Sequence, residues 1–451
     1  MQLTFHGGAQ SVTGANYLLA CGKTNVLIDC GLTQGANYCE ARNFDPFPYD
    51  PKSIDAVIIT HAHIDHTGRL PMLFKAGFRG AVFSTPPTKD CAELLLLDSE
   101  HILTEEAKTL GKEPPYLASH VVELMRLWKK IPYHEQFSVG DLTVEFFNAG
   151  HILGSSSVAV TGEGKRVIFS GDLGNSPSPL IRDIEYVKEA NYALIESAYG
   201  GRLHETPEKR RDMLEDVVEE TMKARGVLMI PVFAMERTQA LLYELNELVE
   251  HGRIPRAPIF MDSPLAIKLT AMYQKYSRDP DYFNRETIGI IEGGDAIFNF
   301  PGLVMTLTRE QSRGINTFAP PKIIIAGSGM SEGGRILHHE LRYLSDPKNT
   351  ILFLGYQAWG SRGRAILDGA KHISVFGEKV AVQCQVRSIS GYSAHADQAQ
   401  LVAWVSAMRL GLKKVFVVQG EEDEARLLAQ KIRDELAVEA EIPSSGESVV
   451  L

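Results

Sequence analysis

The chain has 451 residues, 44% of them hydrophobic and 23% charged, with a formal net charge of −10. That length exceeds one comfortable core and calls for two domains or three, of ordinary globular composition. The acidic balance excludes phosphate neutralisation over the whole surface, so any nucleic-acid contact must be concentrated in a local groove. No apolar run approaches the roughly 18–20 residues that span a bilayer. The start, Met1-Gln2-Leu3-Thr4-Phe5, lacks the basic and apolar stretches of a signal peptide, so a cytoplasmic protein with no membrane partner is expected. Cys21, Cys30, Cys39, Cys91 and Cys384 are odd in number and contain no Cys-x-x-Cys pair, against both a disulfide framework and a thiolate zinc site.

In chain order, the first fifty residues predict short strands punctuated by Gly7-Gly8, Gly14, Gly22 and Gly31. Ala56-Val57-Ile58-Ile59 predicts a buried strand running into a histidine cluster. Helices are expected near 88–101 and 119–129, where apolar residues recur at three- and four-residue spacing. Strands follow at 142–147, 157–160, 167–170 and 192–195. After Pro207 helix and strand alternate: helices at 209–223, 238–249 and 335–343, strands at 227–230, 259–261, 323–325 and 351–353. Such alternation implies a parallel sheet covered by helices. Past Ile373 come further strands, a helix at 398–408, a strand at 415–418 and a helix at 421–436. A β-rich part, a doubly wound α/β part and then β and α again fit an insertion into the first domain better than two successive domains. The expected divisions are 1–205, 206–374 and 375–451.

The strongest chemical signal is Thr60-His61-Ala62-His63-Ile64-Asp65-His66-Thr67-Gly68. His61 and His63 are two apart on an extended strand end and point to one side, while Asp65 and His66 fall where the chain turns into a helix. Nitrogen and carboxylate ligands at this density suit Zn2+, with Mn2+ or iron as substitutes. His151 lies in a glycine-flanked turn, and Asp172 just past a strand end can bridge two metals with its two oxygens. Asp29 ends another strand and is expected to orient a ligand histidine.

The succession of HxHxDH, a later single His and a single Asp resembles the metallo-β-lactamase superfamily. The resemblance implies an αββα sandwich with a site at one sheet edge for two metals, which lower the pKa of a bridging water and stabilise attacking and leaving oxygens. Glu196-Ser197-Ala198-Tyr199-Gly200-Gly201, Pro231-Val232-Phe233-Ala234, Met261-Asp262-Ser263-Pro264, Ala326-Gly327-Ser328-Gly329-Met330 and Ser393-Ala394-His395-Ala396-Asp397 resemble segments of its β-CASP nuclease branch, in a minimal form without an extra RNA-binding domain. This implies an inserted doubly wound α/β domain and a ribonuclease that hydrolyses single-stranded RNA in the cleft between domains, by in-line attack of a metal-activated hydroxide. Asp65, Glu196 and His395 are then the catalytic residues. Glu196 can hydrogen-bond His395 and raise its pKa, and a protonated His395 can donate to the leaving oxygen. Ser328 and Gly329, on a turn before an expected helix, and Arg335, Arg362 and Arg364 are candidate phosphate contacts. His338-His339 is as readily a solvated pair as a substrate contact.

One position departs from the branch. Its RNA-cleaving members carry His, and its DNA-repair members Val, where this chain has Gln419. A glutamine carbonyl is a weak zinc ligand, so Gln419 is expected to leave the second of two metal sites weak, and it keeps DNA in play as a substrate. A homodimer also stays open. The competing classes are a non-catalytic RNA-binding or complex-assembly protein, and a hydrolase of small esters.

Overall fold

The structure, a computed structural model, describes residues 1–34 and 42–451; Cys39 lies outside the described residues. Strands β1 (Gln2–Gly7), β2 (Asn16–Cys21) and β3 (Thr24–Ile28) form an antiparallel meander. Strands β4 (Ala56–Ile58), β5 (Ala81–Ser84) and β6 (Trp128–Lys130) extend it in parallel. A second sheet begins with β7 (Phe137–Val139), β8 (Leu142–Asn148), β9 (Ser156–Gly162) and β10 (Lys165–Phe169), again an antiparallel meander, and continues with β11 (Tyr192–Glu196), parallel to β10.

The chain then builds a separate sheet from β12 (Val227–Pro231), β13 (Ile259–Asp262), β14 (Leu303–Met305), β15 (Lys322–Ala326) and β16 (Thr350–Leu354). It adds a hairpin, β17 (His372–Val375) and β18 (Glu378–Ala381), and ends with β19 (Gln385–Ile389). The order β14-β13-β15-β12-β16-β19, every pairing parallel, is that of a doubly wound sheet. Finally β20 (Lys414–Val418) and β21 (Ala440–Glu441) return beside β11, and β22 (Ser448–Val450) pairs with β1.

Two compact units result: residues 1–203 with 395–451, and residues 204–394. The insertion therefore runs past the expected end at 374. The reason is packing: Ile373, Val375, Val380 and Cys384 bury in the same core as Ile324, Ile351 and Phe353, and β19 runs beside β16. Lys322 is fully buried at the start of β15 because its ammonium donates to the carbonyls of Ile315 at 2.8 Å and Phe318 at 2.9 Å.

In the first unit the two seven-stranded sheets face each other. Phe5 on β1 meets Phe416 on β20 at 5.3 Å between ring centroids, and Tyr17 on β2 meets Phe169 on β10 at 6.3 Å. The period of two along β11 sends Ala193 and Ile195 outward, where they pack with Leu401 and Trp404 of the helix Gln398–Ser406 and Leu428 and Ile432 of the helix Glu422–Leu436. Leu194 and Glu196 consequently face inward. That alternation delivers a carboxylate to the sheet edge where the histidines collect.

Candidate metal centre

His61 follows the end of β4, and His63 occupies the N-cap position of the short helix Ile64–Thr67, whose first turn carries Asp65 and His66. The chain segment 29–32 clamps this helix from behind: Cys30 N donates to His66 O at 2.8 Å and Leu32 N to Ile64 O at 2.9 Å. Gly31 is required there, since a Cβ would lie 1.5 Å from the Asp65 carbonyl oxygen. His151 sits on the β8–β9 loop, held by the Ser155 hydroxyl, which accepts from His151 N at 3.0 Å and Ile152 N at 3.2 Å. Asp172 lies just beyond β10.

Four donor atoms converge. His61 Nε2 lies 3.2 Å from His63 Nδ1, and His151 Nε2 lies 3.3 Å from the same atom. Asp172 Oδ2 is 3.5 Å from His61 Nε2 and 3.6 Å from His151 Nε2. Ligands about 2.0–2.1 Å from a tetrahedral zinc stand ~3.3–3.4 Å from each other, so this donor set fits one such ion. A second set joins Asp65, His66 and Asp172, and a third Asp172, Glu196 and His395; within each the candidate atoms lie within 4.8 Å of one another. In the second, His66 Nε2 is 3.3 Å from Asp172 Oδ1 and 3.9 Å from Asp65 Oδ2.

The electrostatics agree with cation binding. Burial, reinforced by the neighbouring histidines, holds the His61 pKa well below its ordinary value, leaving a neutral imidazole with a lone pair to offer. Burial alone would raise the Asp172 pKa, but His66 and His61 outweigh it and hold the carboxyl well below the usual range. Burial pushes Asp65 up to about 6 in spite of His66. At His66 burial is overcome by Asp172, Asp29 and Asp65, which lift its pKa well above normal. Three carboxylates around one imidazole is an excess of negative charge that a bound cation offsets.

Asp29, in the left-handed region at φ 62°, accepts from His66 Nδ1 at 2.7 Å, from Thr60 N at 2.8 Å and from the Thr60 hydroxyl at 2.8 Å. It thus turns His66 so that Nε2 faces the centre. Thr60 Oγ1 also lies 3.0 Å from His61 Nδ1. Sequence reasoning gave Thr60 no part; its only signal was adjacency to His61.

Glu196 is fully buried, and burial raises its pKa against the effect of His395. Its Oε1 accepts from Leu173 N at 2.8 Å and lies 3.1 Å from His395 Nδ1; Oε2 accepts from Ala198 N at 3.2 Å. His395 is further fixed by an antiparallel bridge to Gly174, and Ala396 N donates to Leu173 O at 2.7 Å. Both catalytic candidates therefore hang on the loop that carries Asp172.

Gln419 is buried against the same cluster, with Nε2 at 2.9 Å from both His66 Nε2 and Asp172 Oδ1. Its amide nitrogen faces the donors, where sequence reasoning had expected the carbonyl oxygen. Tyr17 OH, which sequence reasoning missed, donates to Gln419 Oε1 at 3.3 Å.

The candidate phosphate contacts belong to the other unit. The Ser328 hydroxyl accepts from Glu332 N at 3.1 Å and Gly333 N at 3.3 Å, and Gly329 packs against Phe233. The helix they were expected to precede starts only at Ile336. Arg335 donates to Asp262 Oδ1 at 2.7 Å and to the carbonyls of Thr306 and Leu307, both at 2.9 Å. Asp262 also pairs with His339 Nε2 at 2.8 Å, which makes His339 an internal partner rather than a surface one; His338 lies against Phe376 with the rings tilted by 34°. Arg362 donates to the carbonyls of Ser374, at 2.9 Å, and of Ser331. Arg364 pairs with Asp368 on the surface.

Three family models match the chain: a beta-lactamase superfamily domain over residues 24–224, a Beta-Casp domain over 238–366, and a Zn-dependent metallo-hydrolase RNA specificity domain over 379–443. A Thermus thermophilus protein named as a ribonuclease is 39% identical over 431 residues, 95% of each chain. A Methanosarcina mazei protein named transcription termination factor FttA is 32% identical over all of this chain and 72% of its own length. An RNase J-like protein of Methanocaldococcus jannaschii is 30% identical over 98% of each. A solved Enterococcus faecalis protein of unknown function shares the fold, with a TM-score of 0.56 at 14% identity, over 100% of this chain and 99% of its own. The chain belongs to the β-CASP family of metallo-β-lactamase-fold proteins.

Proposed function

We propose that the chain is a metal-dependent ribonuclease that hydrolyses phosphodiester bonds of single-stranded RNA. The observation that carries this is the converging set His61 Nε2, His63 Nδ1, His151 Nε2 and Asp172 Oδ2, whose spacings of 3.2–3.6 Å fit a single tetrahedral ion, with the His395–Glu196 pair beside it. The RNA-directed names of the relatives and of the third matched domain support the choice of substrate.

His61, His63, His151 and Asp172 would hold the first ion, zinc by donor type with Mn2+ or iron as substitutes. When bound and expanded to a fifth coordination position, the metal would supply Lewis acidity toward phosphoryl oxygens and activate a water near neutral pH. Asp172 presents its second oxygen toward His66 and Asp65. Glu196 orients His395 through Nδ1, and Nε2 of that ring protonates the leaving oxygen. Ser170 fixes Glu196 in turn, its hydroxyl accepting from Glu196 N at 3.0 Å.

Cleavage of a labelled single-stranded RNA by purified protein with Zn2+ or Mn2+, beside the same sequence as DNA, tests the reading. His63→Ala is expected to abolish cutting together with bound metal. Undiminished cutting by that variant, or faster turnover of the DNA, would sink the proposal. Tight RNA binding with no cutting under any metal would favour a non-catalytic role, the reading that the Gln419 substitution supports.

A further inference from the structure

Gln419 is placed with little freedom. Its backbone is in the left-handed region at φ 49°, its N donates to Gly8 O at 2.6 Å, and its carbonyl accepts from Ser197 N at 3.3 Å. From this anchor the buried side chain reaches two of the three residues of the second donor set, His66 and Asp172, at 2.9 Å each. Which end of the carboxamide points inward is decided by Tyr17. That phenol is buried, so its hydroxyl must donate, and among the described residues its hydrogen bond goes to Gln419 Oε1. The oxygen is thereby committed outward and the NH2 group inward.

The inward group has two hydrogens and meets two neighbours. One is Asp172 Oδ1. The other is His66 Nε2, also 2.9 Å away, on a ring whose Nδ1 is held by Asp29 at 2.7 Å. A primary amide nitrogen has no lone pair free for a cation. Turning the oxygen inward would strip Tyr17 of its acceptor and set a carbonyl against the Asp172 carboxylate.

We infer that the Gln419 carboxamide, keyed by Tyr17, takes the place of the second metal, so that the centre binds one ion per chain. This rests on the metal-centre reading above and deepens it by fixing the ion count. The amide packs against His66 and donates to Asp172, where a second ion would draw on both residues, and it holds Asp172 in register for the first site.

The test is metal content. Full-length protein is saturated with ZnCl2, passed through gel filtration and analysed by mass spectrometry for zinc, with calorimetric titration of the metal-free protein beside it. One ion is expected in the wild type and two in Gln419→His; Gln419→Glu serves if the histidine variant does not fold. Tyr17→Phe releases the carbonyl and is expected to admit a second, weaker ion. Two ions in the wild type, none, or one still in both Gln419 variants would overturn the inference, and a Tyr17→Phe protein titrating like wild type would overturn the part given to Tyr17. RNA cutting is scored separately: its absence with one ion bound counts against the ribonuclease reading and leaves the ion count standing.

Discussion

Glu196→Gln separates proton donation from metal binding. The glutamate is fully buried and accepts three hydrogen bonds, from Leu173 N, from Ala198 N and from His395 Nδ1. Glutamine keeps the shape, but whichever way its amide points, one NH2 group faces an N–H donor. It also deprives His395 of the anion 3.1 Å away. A hydrogen bond to a charged group contributes about 1.5–3 kcal/mol, which converts to a loss of roughly 10- to 150-fold in kcat. The assay compares RNA with bis(p-nitrophenyl) phosphate, whose leaving group departs without a proton. The variant should lose that factor on RNA, lose far less on the activated ester, and retain its zinc. Equal losses on both substrates would refute the reasoning, because they would mean that Glu196 merely positions the Asp172 loop through Leu173 N.

Asp29→Asn is expected to lower zinc affinity about 10- to 100-fold, measured by competition with a chromophoric chelator, because Asp29 holds Thr60 through both its N and its hydroxyl, and that hydroxyl lies 3.0 Å from Nδ1 of the ligand His61; unchanged affinity would deny Asp29 its orienting role. In the inserted unit, burial raises the Glu236 pKa to about 7, against the opposing hydrogen bond from Tyr273. The folded protein thus holds a proton that the unfolded chain releases above pH ~4.5, and stability falls as pH rises from there through about 7, by ~3 kcal/mol at most; Glu236→Gln should flatten that part of the thermal-melt profile between pH 5 and 8, and an unaltered profile would deny the effect. Arg335→Ala should cost about 3 kcal/mol of stability by leaving the buried Asp262 with one cation fewer, read by denaturant melts; an unchanged melt with a raised KM for RNA would instead make Arg335 a phosphate contact.

The site was legible where its residues are contiguous. His61, His63, Asp65 and His66 fall within six positions, and the alternation of strand and helix after Pro207 announced a parallel sheet. Contacts made across hundreds of residues left no such trace. Nothing in spacing links Tyr17 to Gln419, 402 positions away, or shows which end of that amide faces the histidines. Arg335 looks like any helix-start arginine until Asp262 is seen buried beneath it. The compact inserted unit ends at Ala394 rather than the expected 374 because Gln385–Ile389 looks like any short strand, and only its pairing with β16 assigns it there.

The chain leaves the first unit after Leu203 and re-enters at His395. Inside that unit the two stumps are already tied, Gln398 N to Arg202 O at 3.0 Å and Gln398 Nε2 to Gly200 O at 2.7 Å. In chain order the insertion lies between two feet, with Glu196 just before one and His395 at the other. What lies between those feet can lengthen, shorten or recombine without breaking the Glu196–His395 contact or its tie to the Asp172 loop.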